Sequence, residues 1–341
     1  MSTVSGVFTE TTLNALRAKM AEMLLDSRVK LQFIPKADSL KTLAKATTAR
    51  FAPLSAREKD FDVELEWINV CRDGVVPFAS CTFGGAKAST NIQKYTLNYD
   101  KAFNFTIDEA NFTNNDFDFA EVMAKQMLKA DVEHMEAFAG YFITFLNANK
   151  GNDLYTTGAY YCATGDAHVP AINWNANLMA YLLMMSRINQ FSSPILLDGG
   201  LLYQSYLLAN FNAGNDNGKG AQALFQGMPI DFDLFNPAVI NGDILTDYLI
   251  ETGSVSWANK VYHNAGAPTI NQDGLIKFSQ PTKFSDILPL QYDVAMQPAC
   301  STNNLTKYDV NVRLKAGIFA NPTGCDSNNT GILTVECGNC H

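Results

Sequence analysis

Histidine is scarce in this sequence: four residues in 341, none close to another. That leaves little for general acid–base catalysis or for a histidine-built metal centre. No stretch approaches the ~20 consecutive apolar residues that a membrane-spanning helix requires, so no membrane partner is expected. The first twenty residues, MSTVSGVFTETTLNALRAKM, lack a basic segment followed by an apolar one, so an export signal is not expected either. Charged residues make up 17%, and no segment recurs at a fixed period, which excludes solenoid and repeat architectures. With 47% hydrophobic residues the chain is an ordered globular protein, long enough to bury a sizeable core in two or three lobes.

The seven cysteines are an odd number, and Cys71, Cys81 and Cys162 lie in separate, ordinary segments. They read as reduced thiols in a cytosol. The last five residues, CGNCH, spell a c-type haem motif, but without an export signal or an enclosing apolar helix the match is a coincidence. Cys337 and Cys340 form a C-x2-C pair, and with Cys300 and Cys325 upstream they are the four thiols that could close a structural zinc site. One such pair and irregular gaps favour plain thiols, so no metal and no cofactor are expected. Other look-alikes fail on context. His134-Met-Glu136 lacks the P-C-x-x-C partner of a zinc deaminase. Gly214–Gly220 is one residue short of a phosphate loop and follows no strand. Asp166-Ala-His168 has no nucleophile and reads as a solvated loop. No catalytic site is expected, and so no enzyme; an enzyme with a β-rich catalytic lobe stays as a distant alternative.

What is present is strong patterning. Thr12–Leu25 reads as an amphipathic helix with Leu13, Leu16, Met20, Met23 and Leu24 on one side. Residues 26–60, with Pro35 and Pro53, read as an extended arm. Phe61-Asp-Val-Glu-Leu-Glu-Trp67 alternates with period two, as do Tyr95–Tyr99 and Phe103–Ile107, which predicts strands joined by a Gly/Ser/Thr-rich tip around residues 80–90. Phe119–Lys150 predicts a helix of ~48 Å at 1.5 Å per residue, stopped by Gly151. Further helices are expected over Asn175–Phe191 and Leu201–Asn210, a buried strand at Pro194–Leu197, and a strand over Tyr308–Ile318 with Tyr, Val, Val, Leu, Ala and Ile on one face. The class is α+β.

This order of elements resembles the major capsid proteins of tailed bacteriophages with the Hong Kong 97 fold. The resemblance spans nearly the whole chain and rests on architecture. It implies an N-terminal arm at 1–60, an extended loop at 61–108, and a peripheral domain at 109–192 with a spine helix at 117–150. An axial domain would follow at 193–290, with C-terminal strands at 291–341 returning to the body. Ser193–Tyr203 resembles the passage into the axial domain, and Thr252–Trp257 a shell-interior strand. The function implied is a coat protein that assembles through hexamers and pentamers into an icosahedral or prolate shell around double-stranded DNA. The implied partners are itself, a portal, and scaffolding or decoration proteins; the implied location is the virion, after assembly in the host cytoplasm. Lys87 and Lys94 lie in the extended loop, but nothing identifies cross-linking partners for them. An encapsulin-type compartment shares this fold and is the nearer alternative.

Charge fits such a subunit. Residues 1–60 hold ten Lys+Arg and six Asp+Glu, and the remainder hold 15 and 28, so a basic arm precedes an acidic body. An acidic body does not grip a nucleic-acid backbone. The arm is expected to lie on a neighbouring subunit. The residues expected to make contacts between subunits are Leu13, Leu16, Met20 and Leu24 in the arm, and Phe61, Val63, Leu65 and Trp67 in the extended loop.

Overall fold

A computed structural model describes residues 10–50, 62–69, 89–108, 110, 119–152, 167–174, 176–212, 228–236, 238–240, 244–263, 268–271, 273–300, 306–320 and 330–338. Three helices open it: α1 (Glu10–Leu25), α2 (Ser27–Gln32) and α3 (Ser39–Ala46). They lead into a long central helix, α4 (Phe119–Ala148). Its 30 residues contain no proline and a single glycine, and are dominated by strong helix formers. Met123, Met127, Ala130, His134, Phe138, Phe142 and Leu146 recur at helical spacing and are all buried. The expected helix thus exists, two residues shorter at its C-terminus. It ends where Asn149 turns its side-chain amide back onto the Phe145 carbonyl, 2.8 Å away.

This helix packs on a seven-stranded sheet. The sheet runs β1 (Thr47–Arg50), β10 (Val255–Lys260), β14 (Thr306–Ala320), β13 (Gln291–Cys300), β12 (Ile276–Pro281) and β11 (Thr269–Ile270), with β4 (Tyr99–Asp108) on the opposite edge of β14. The 15 residues of β14 form the sheet's axis. Tyr308, Val310, Val312, Leu314, Ala316 and Ile318 are all buried, as their alternation requires. A second sheet runs β5 (Ala167–Val169), β15 (Ile332–Cys337), β9 (Ile244–Glu251), β6 (Pro194–Asp198) and β7 (Ile230–Phe232), with β8 (Ala238–Ile240) also on β9. All five β6 residues are buried, the mark of a strand covered on both faces. Helices α5 (Ala176–Ile188) and α6 (Leu201–Asn212) supply its own core with Leu178, Leu182, Met185 and Leu202.

Sheet membership divides the chain elsewhere than the expected lobes. Helix α5 joins the core of the second sheet rather than that of α4. The segment 193–290 splits at the Thr252–Ser254 turn, which carries the chain from β9 in one sheet to β10 in the other. That turn is tight. Gly331 packs against it at φ +75°, and a Cβ there would lie 2.5 Å from the Ser254 Cβ.

The third sheet is a two-stranded antiparallel ribbon of β2 (Asp62–Asn69) and β3 (Ser89–Thr96). It runs into edge strand β4 through residues 97–98, and Tyr95 fastens its base. The Tyr95 hydroxyl donates to the Ala320 carbonyl at 2.8 Å, and its ring lies 4.8 Å from that of Phe319.

Two expectations for the N-terminal segment are corrected. Residues 26–50 are not an extended arm: they form α2, α3 and β1, and Leu40, Leu43 and Ala46 of α3 are fully buried. The cover for α1 is the chain's own α4. Leu13, Leu16 and Met20 are at most 2% exposed and lie in the core cluster with Met123 and Met127. Their apolar face is therefore closed within the subunit, and only Leu24, half-buried, sits at its rim.

Candidate functional site

Helix α1 is fastened to the first sheet by a polar network as well as by its leucines. Arg17 donates from Nε to Gln280 Oε1 and from Nη2 to the Ser279 carbonyl, both at 2.9 Å. Lys283 returns an Nζ hydrogen bond to the Arg17 carbonyl at 3.1 Å. Behind them Asp131 of α4 accepts from Thr282 Oγ1 at 2.7 Å, the Lys283 amide at 2.7 Å and the Tyr292 hydroxyl at 2.6 Å. Burial pushes the Asp131 carboxyl up, against the pull of those hydrogen bonds. Burial also pushes the Tyr292 phenol well up, and Asp131 adds to it. His134 is stacked 5.2 Å from Tyr292, burial disfavours its charged form, and its Nε2 donates to the Val312 carbonyl at 2.9 Å. Asp131, Thr282, Tyr292 and His134 are buried and hydrogen-bonded, while Arg17 and Lys283 are partly exposed at the edge of the network. It positions α1, α4 and the sheet relative to one another.

Helix α3 is capped from a distance. Asp38, at its N-cap position, makes no capping hydrogen bond. Instead Asp233, just past β7, accepts from the Ser39 amide at 2.9 Å. Asp231 accepts from Thr42 Oγ1 at 2.9 Å and pairs with Lys45. The N-terminal segment thus bridges α4 and both sheets.

A groove of about 590 Å³ opens between β4 and α4, lined by Tyr99, Lys101, Phe103, Glu133, His134 and Tyr141. Its one acid, Glu133, is exposed, and His134 is committed to Val312, so no acid–base pair converges there. Among the described residues no three His, Cys, Asp or Glu side chains could hold a metal ion.

The thiols singled out as a zinc set divide between sheets. Cys300 is exposed at the end of β13, and Cys337 is half-buried at the end of β15, with burial pushing its thiol up. Cys325 and Cys340 lie outside the described residues. His168 corrects the reading of a solvated loop. It sits in β5 with Nε2 3.4 Å from Glu336 Oε2, and Lys150 Nζ is 3.2 Å from the other oxygen of that carboxylate.

Of the expected contact residues in the extended loop, Phe61 lies outside the described residues. Val63, Leu65 and Trp67 stand in β2 opposite Tyr95, Gln93 and Asn91. Sequence reasoning passed over the apolar residues that do face solvent at the arm. Leu25 is 85%, Leu31 74% and Ile34 50% exposed, within ten residues that also carry Arg28 and Lys30. Monomeric surfaces seldom gather apolar side chains this way. Periodicity gave no sign of this, because Leu31 and Ile34 fall 18 residues beyond Leu13 and Leu16, in phase with the same helical stripe.

No family model matches the chain, and no curated protein does. Several solved structures are similar to it. One is the capsid of cyanophage Pam1, at 12% identity and TM-score 0.46, over 83% of this chain and 86% of that one. Another is the mature capsid of bacteriophage PhiM1, at 11% identity and TM-score 0.45, over 87% of each chain. A third is the virus-like particle from Pyrococcus furiosus, at 12% identity and TM-score 0.42, over 94% of this chain and 98% of that one. All three likenesses stand below a TM-score of 0.5.

Proposed function

We propose that this chain is a structural shell subunit, the major capsid protein of a tailed bacteriophage with the Hong Kong 97 fold. It self-assembles through hexamers and pentamers into a closed shell around double-stranded DNA. The observation that carries the proposal is the β2–β3 ribbon: two strands of eight residues each, paired with each other and with no third strand among the described residues. An isolated two-stranded ribbon is marginal in water and gains stability when another surface covers it. A second copy supplies that surface in a shell. The solvent-facing Leu25, Leu31 and Ile34, in a basic segment attached to an acidic body, ask for the same kind of partner. The polar networks of the described residues tie helices to sheets, which suits a subunit whose work is contact rather than catalysis. Portal and scaffolding proteins are the further partners of a subunit of this kind, and the virion is its place.

Negative-stain microscopy of the purified full chain tests this. Capsomers or closed shells are expected, and protein from infected cells should protect DNA from nuclease. Shells holding a protein cargo and no DNA would replace the phage reading with a compartment reading. A monomer at high concentration and physiological salt would end both.

A further inference from the structure

Two acids meet in the second sheet with no cation paired to either among the described residues. Asp198 ends β6 and Asp247 lies in β9; the antiparallel register ends at Leu197 against Tyr248, and continuing it by one residue brings these two opposite each other. Both are fully buried. Asp198 is used as a helix cap: its Oδ2 accepts from the Gly200 amide at 2.8 Å and its Oδ1 from the Leu202 amide at 3.0 Å, at the start of α6. Asp247 Oδ1 accepts from the Gly199 amide at 3.0 Å. Asp247 Oδ2 is buried and meets no N–H or O–H donor. A buried carboxyl oxygen with no donor, beside a second buried acid, is costly to leave charged.

We infer that one proton on Asp247, donated to Asp198, fastens the start of α6 to the second sheet, so that this joint loosens as the pH rises. With the proton in place, Asp198 holds the Gly200 and Leu202 amides and Asp247 holds Gly199 at the turn between β6 and α6. Without it, two negative charges face each other in an apolar core built from Leu196, Leu202, Leu249 and Val335.

Among the described residues no other group in this core takes over the charge. Cys337 of β15 is near, and its thiol is held neutral by burial. Glu336 and His168 pair on the other face of β15 and β5. Asp231 and Asp233 are turned to α3. The only charged residue of α5 is Arg187, which is exposed, and α6 and β8 contain none. Burial and the Asp198 charge both push the Asp247 carboxyl well up. A raised folded value means that the stabilisation is complete at low pH and is lost as the pH climbs towards that value.

The test compares the folding equilibrium of the full chain with that of Asp247→Asn, whose amide donates to Asp198 without titrating. The ratio of wild-type to variant folding constants should fall about tenfold per pH unit once the pH passes the ordinary carboxylate range. Amide exchange at Leu202 should quicken with pH in the wild type relative to the variant. A ratio that stays constant from about pH 5 to pH 9 overturns the inference. Should Asp247→Asn fail to fold, carboxyl-carbon NMR of the wild type, assigned through the Asp247 backbone, decides instead. Titration well above the usual carboxylate range supports the shared proton, and titration near pH ~4 overturns it.

Discussion

The Tyr292 hydroxyl donates a hydrogen bond to Asp131 Oδ1 across 2.6 Å, and neither residue is more than 3% exposed. The pair joins the long helix to the sheet at the point where helix α1 is also bound. Removing the phenol in Tyr292→Phe should cost about 1–2 kcal/mol. Asp131→Ala strands three buried donors at once and should cost ~3 kcal/mol or more. Urea unfolding of the two variants measures both. Equal and negligible costs would mean that the network is ornamental.

His134 supplies a dependence on acid. Its folded value lies below the usual imidazole range because burial disfavours the charged ring. A depressed value means that the contribution is present at neutral pH and is lost as the pH falls from ~6.5 towards the folded value. His134→Gln keeps a neutral donor for the Val312 carbonyl. Thermal unfolding followed from pH 7 down to pH 5 should show a shallower loss for this variant than for the wild type.

Two glycines should respond in opposite directions to alanine. Gly140 sits inside α4 with open space where a Cβ would go, so Gly140→Ala should gain ~0.5–1 kcal/mol. Gly331 has φ +75° and no room beside Ser254, so Gly331→Ala should lose ~1–3 kcal/mol. Paired melting curves check the contrast.

Much of the fold was legible because it rests on long, regular periods. The central helix and β14 announce themselves through runs of 30 and 15 residues in which each apolar position fits one geometry. Helix α3 was not legible. It has eight residues, and its capping oxygen belongs to Asp233, 194 positions away. The leucines of α1 show the deeper limit. Periodicity states that Leu13, Leu16 and Met20 need cover, but not which chain provides it, and here α4 does. Arg17 follows the same logic. One of the charges of the basic segment, it is a clamp on Gln280 and Ser279.

That correction changes what N-terminal variants should do. Deleting residues 2–28 removes Leu13, Leu16 and Met20 from the core, each worth ~1.5–3 kcal/mol when buried. The truncated chain should aggregate or melt early, which circular dichroism and light scattering would show. Arg17→Glu should lower the melting temperature at any salt concentration, whereas Arg28→Glu, on an exposed residue, should leave it within error.

Self-association through surfaces that a lone subunit leaves open is the centre of the account. Sedimentation velocity of the full wild-type chain beside Leu25→Ser/Leu31→Ser/Ile34→Ser measures it directly. Wild type should sediment as capsomers or shells. The triple variant, with an unchanged melting temperature, should shift towards single subunits. A wild-type chain that sediments as one subunit at high concentration would contradict the account.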